Sequence, residues 1–74
     1  MKKNTTTRFE VRLNTEVPDR DYPETVYPIG HVIHKSTSGI LRDSYVCGGH
    51  IIDKSEVDMI EITRTVTETE KKVK

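Results

Sequence analysis

Tryptophan is absent from this 74-residue chain, phenylalanine and cysteine each occur once, and neither sign of charge prevails. Each shortage excludes something. A single cysteine rules out an internal disulfide. Apolar residues make up 32% of the chain, below the usual range for globular domains. In so short a chain that leaves a thin core. Small scaffolds in this position gain stability from disulfides, a structural metal or burial against another subunit, and here only the last two are open. Twelve Lys and Arg balance twelve Asp and Glu, so no net field draws in nucleic acid or anionic lipid from a distance. No apolar run reaches signal-peptide or membrane-spanning length. With one unpaired thiol, this predicts a cytoplasmic protein with no membrane partner.

What the chain does have is β pattern. Arg8 to Leu13 alternates strictly, with Phe9, Val11 and Leu13 on one face and Arg8, Glu10 and Arg12 on the other, which predicts a half-buried strand. Asn14 to Glu24 carries Pro18, Pro23 and several acidic residues and reads as a long loop. A second strand is expected over Thr25 to His34, weakened by Pro28 and Gly30. A turn at Lys35 to Gly39 and a returning strand from Ile40 to Cys47 would complete a hairpin centred on Thr37. Ile51 and Ile52 resume the strand, and the β-branched density from Val57 to Thr69 predicts the last one. The organisation is then a flexible N-terminal arm over 1–6, one β-rich domain over 7–69 and a charged C-terminal tail over 70–74. The fold class is all-β, a four-stranded antiparallel twisted sheet or small partly closed barrel with a long first loop. Its expected interior is Phe9, Val11, Leu13, Ile29, Ile33, Leu41, Tyr45, Ile60 and Ile62.

The chemistry-bearing residues fall into two pairs of matched spacing, His31 with His34 and Cys47 with His50. Two knuckles of two ligands each are how small zinc modules close a tetrahedral shell, so the four are candidate ligands of one structural zinc ion. A filled shell leaves no open position for catalysis. Geometry raises an objection, because residues three apart on a regular strand point to opposite faces, and a bend at Gly30 or Gly48-Gly49 would be needed. The competing reading makes Cys47 a small buried hydrophobe and Gly48-Gly49 a β-bulge. A thiol nucleophile is not favoured, since no oxyanion-hole loop or third orienting group is evident.

Two surfaces are candidates for partner binding. Arg8, Arg12 and Arg42, with Lys35 and Arg64, would form a basic strand face flanked by Tyr27 and Tyr45 as stacking platforms for single-stranded nucleic acid. The acidic loop from Glu16 to Glu24, with Asp19, Asp21 and Tyr22, would meet a basic partner. No set of converging titratable groups suggests an enzyme. The favoured expectation is a non-enzymatic binding protein acting through a protein–protein surface and self-associating as a dimer through its Thr-rich last strand, taken as an edge. The alternatives are a zinc-stabilised nucleic-acid-binding module and a small-ligand sequestering protein.

Overall fold

A computed structural model describes residues 4–73 of the chain. Eight strands run in chain order: β1 (Thr6–Leu13), β2 (Val17–Pro18), β3 (Val26–Tyr27), β4 (Val32–Ser36), β5 (Ser44–Cys47), β6 (His50–Asp53), β7 (Val57–Arg64) and β8 (Glu68–Lys72). Four of them form an antiparallel sheet in the order β4-β1-β7-β8. The fold is all-β as expected, and the sheet is open rather than closed into a barrel. Among the described residues no helix is long and apolar enough to cross a membrane.

The alternation of β1 sets the two faces. On the core side Val11 opposes Met59 and Leu13 opposes Val57, all four of them buried. Two smaller ribbons cover this face: the pair β2-β3, which contributes Val17, and the hairpin β5-β6, which contributes Tyr45, Cys47 and Ile52. Phe9, Tyr27, Ile33 and Leu41 close the margins. Met59, at 0% exposure, lies at the centre. Of the interior expected from the sequence, Ile29 departs most, standing 65% exposed in the turn beyond Pro28.

The pairing differs from expectation in three places, each for a local reason. The strand expected over Thr25 to His34 is broken, because Pro28 lacks a donor and Gly30 turns the chain at φ 93°. Beyond that break, β4 pairs with β1 rather than with the segment after Thr37, and a bulge at Ile33 shifts the register between Val11 and Arg12. The Thr-rich segment expected as one strand over Val57 to Thr69 is likewise divided. Its strand β7 ends at Arg64, the chain turns at residues 65–67, and β8 becomes the edge. Residues 70–72, expected in the tail, therefore belong to the sheet; Lys74 lies outside the described residues, as do residues 1–3 of the expected arm, whose Thr6 opens β1. Since β8 is Glu-Thr-Glu-Lys-Lys with all five residues exposed, the edge carries charges that oppose strand addition. β7 itself is paired on both sides, by β1 and β8.

The second face of the sheet is held by charge. Ile62 opposes Arg8 on β1 and Glu70 on β8, so it points away from the core cluster, yet it is only 1% exposed. Its register partners are long charged residues, whose aliphatic stems can cover apolar surface while their heads pair. Arg12 donates to Glu10 at 2.7 Å and 3.1 Å and to Glu70 at 2.9 Å and 3.1 Å, and Arg8 donates to Glu68 at 3.2 Å. The bonds to Glu70 and Glu68 span β1 to β8 across β7. Hydrogen bonding from Arg12 holds the Glu70 carboxyl below its ordinary value, and the charges of Arg12 and Arg8 act in the same direction. A carboxylate depressed in this way stabilises the fold above its unfolded value, and the contribution is lost as pH falls through the lowered one. Acidification is therefore expected to lower amide protection, taken relative to the intrinsic exchange rate at each pH, in β8 before β7, and Glu70→Gln to remove that pH step. Uniform exchange across both strands would count against the clasp.

Candidate functional site

Of the residues singled out for chemistry, Cys47, His50 and Asp19 lie at the tip of the β5-β6 hairpin. Gly48 and Gly49 adopt φ values of 58° and 82°, the two positive angles that a type I′ turn requires. Cys47 and His50 flank this turn as directly opposed residues. Their spacing of three is thus the spacing of a closed two-residue hairpin rather than of a bulge. The turn is pressed against the first loop: a Cβ on Gly48 would stand 2.7 Å from the Tyr27 ring and 3.2 Å from Asp19 Cα, and the Arg20 amide donates to the Gly48 carbonyl at 2.8 Å.

Asp19 organises the loop side. One carboxylate oxygen accepts from the amides of Asp21 at 2.9 Å and Tyr22 at 3.1 Å, and the other accepts from the Tyr27 hydroxyl at 2.9 Å. The Tyr27 bond, then the backbone bonds, hold the Asp19 carboxyl below its ordinary value, and the same bond pushes the Tyr27 hydroxyl up. Burial, with help from the Asp19 charge, raises the Cys47 thiol. A thiol that holds its proton is a poor nucleophile and a poor metal ligand.

The two other histidines are spent on aromatic contacts. His31 lies against Tyr27, with ring centroids 5.1 Å apart, and His34 against Tyr45 at 5.6 Å. Among the described residues no three His, Cys, Asp or Glu side chains come together as a metal-holding group. Cys47 and His50 are brought together, while His31 and His34 do not complete a set with them.

The partner-binding candidates separate in the same way. Asp19 is consumed by its loop, whereas Asp21 and Tyr22 are exposed, Tyr22 at 64%. Arg8 and Arg12 face carboxylates on the outer sheet. Arg42 is exposed, and its backbone amide donates to the Tyr45 hydroxyl at 2.9 Å. A cleft of about 280 Å³ runs between residues 15–18 and β6, with Glu16 and Glu56 at its sides. Glu56 already accepts from the Asp53 amide at 3.0 Å, closing a capping box on the short 3-10 turn Lys54–Glu56. The cleft falls just under the size range of small-molecule pockets.

One feature escaped the sequence pattern. On the outer side of the hairpin Val46 and Ile51 oppose each other, at 70% and 78% exposure, while their neighbours Tyr45 and Ile52 point into the core. Tyr45-Val46-Cys47 and Ile51-Ile52 are consecutive apolar runs rather than alternations. Such runs belong to strands covered on both faces, and Gly48-Gly49 between them is the signal that pairs them. No protein-family model, curated protein or solved structure matches the chain, so the assignment of function rests on these residues.

Proposed function

We propose that the chain is a small non-enzymatic binding module that acts through a protein–protein surface, and that this surface is the outer face of the β5-β6 hairpin. The observation that carries the reading is the Val46–Ile51 pair, two large apolar side chains directly opposed and more than two-thirds exposed. A ribbon with an apolar outer face suits recognition better than catalysis, and nearby Asp19 and Tyr27 are already bonded to one another. Nucleic-acid binding through the basic strand face draws less support, because Arg8 and Arg12 would have to give up Glu68, Glu10 and Glu70 to reach phosphates.

Photo-crosslinking separates these readings. A photoreactive residue at position 46 is expected to give protein adducts, and the same residue at position 8 none. Oligonucleotide adducts at position 8 that vanish steeply with salt, with nothing at position 46, would replace the reading.

A further inference from the structure

The structure leaves one face of a two-faced ribbon uncovered, and we infer that its occupant is a second copy of this chain, packed hairpin against hairpin about a two-fold axis parallel to the strands. This rests on the interaction-module reading and gives the partner.

Three observations favour a second copy over a different protein. The first is surface. The chain exposes 5433 Å², against roughly 4,650 Å² for a compact monomer of its mass. The excess of about 780 Å² is spread over an elongated molecule of 52 × 24 × 15 Å, and the open hairpin face is one part of it. The radius of gyration, 14.3 Å, likewise exceeds the roughly 11 Å of a compact domain of this length.

The second is charge. Formal net charge is zero, so two copies approach without mutual repulsion. At the base of the hairpin Lys54 and Asp43 stand 4.0 Å apart, opposite signs side by side.

The third is self-complementarity. Val46 opposes Ile51, and Ser44 opposes Asp53, on the same outer face. A two-fold axis running between and parallel to the two strands exchanges the members of each pair. Val46 then lies on the partner's Ile51, and the Ser44 hydroxyl faces the partner's Asp53, so that apolar meets apolar and donor meets acceptor. The stacked ribbons would sit at the usual face-to-face spacing of about 10 Å.

Equilibrium sedimentation over a micromolar to millimolar series tests the dimer with three proteins. They are the wild type, a double variant Val46→Thr with Ile51→Thr, and Val66→Thr, which alters a residue equally exposed (73%) but in the β7-β8 turn. Threonine keeps strand propensity at both hairpin positions, and far-ultraviolet circular dichroism with amide NMR dispersion checks that the double variant is folded. The expected result is a wild-type dimer, a dissociation constant about a hundredfold weaker in the double variant, and no change in Val66→Thr.

A folded double variant that dimerises like the wild type overturns the hairpin as the contact. A wild type that stays monomeric throughout overturns the second copy as occupant. In that last case crosslinking at position 46 still decides whether the face binds another protein, so the two proposals fail separately.

Discussion

Met59→Ala is expected to lower stability by about 3 kcal/mol, the middle of the range for emptying a fully buried site of this size. Met59 has no exposed surface and sits opposite Val11 in the central pair of strands, under the ribbon that carries Tyr45, Cys47 and Ile52. Two layers this thin have little means of collapsing around a void. Net stability for a chain of this length is on the order of 4–11 kcal/mol, and a core of eight clustered buried residues points to the lower part of that range. The variant should therefore sit near its unfolding midpoint in the absence of denaturant. Met59→Leu, which conserves volume, should cost under about 1.5 kcal/mol. Urea unfolding of the two variants beside the parent gives the comparison; equal losses would mean that the site is not packed as described.

Gly48→Ala is expected to cost about 3 kcal/mol through two contributions that can be separated. A side chain at φ 58° is strained wherever it occurs, by about 1 kcal/mol, and at this position its Cβ would also stand 2.7 Å from the Tyr27 ring. Relieving that overlap moves the ring and with it the Tyr27 hydroxyl that donates to Asp19. Gly30 has a positive φ of 93° as well, but open space where a Cβ would go. Gly30→Ala should therefore show the backbone strain alone, about 1 kcal/mol, and the difference between the two variants reports the contact of loop and turn. Equal effects in a thermal melt would dissolve the claim that the first loop is seated on the hairpin tip.

That seating also explains what could and could not be read from the sequence. The strand over Arg8 to Leu13 was legible because its alternation is local and each face has one environment. Pairing was not, since it depends on which of two turns closes. Lys35 to Gly39 and Gly48-Gly49 both look like hairpin turns, and only the second is the two-residue type that matches strand twist. Centring a hairpin on Thr37 misassigned the partner of β4 and hid the Val46–Ile51 pair. The Cys47–His50 spacing has the same origin: two residues flanking a closed turn are separated as two ligands of a knuckle would be, and nothing in spacing distinguishes them. The charged end from Glu70 to Lys72 read as tail because a strand without apolar residues has no periodicity to detect. It joins the sheet through backbone bonds to β7 and through the reach of Arg8 and Arg12.

The position of β1 bears on how the chain is made as well as on how it is held. It is first in sequence and interior in the sheet, and both of its neighbours come later, β7 starting only at Val57. During synthesis this strand can meet β4 once residues 32–36 have emerged, and it gains its second neighbour only after β7 has followed. Local ribbons such as β5-β6 and β7-β8 form on their own timescale, and the long closure that inserts β1 between its neighbours sets the pace of folding.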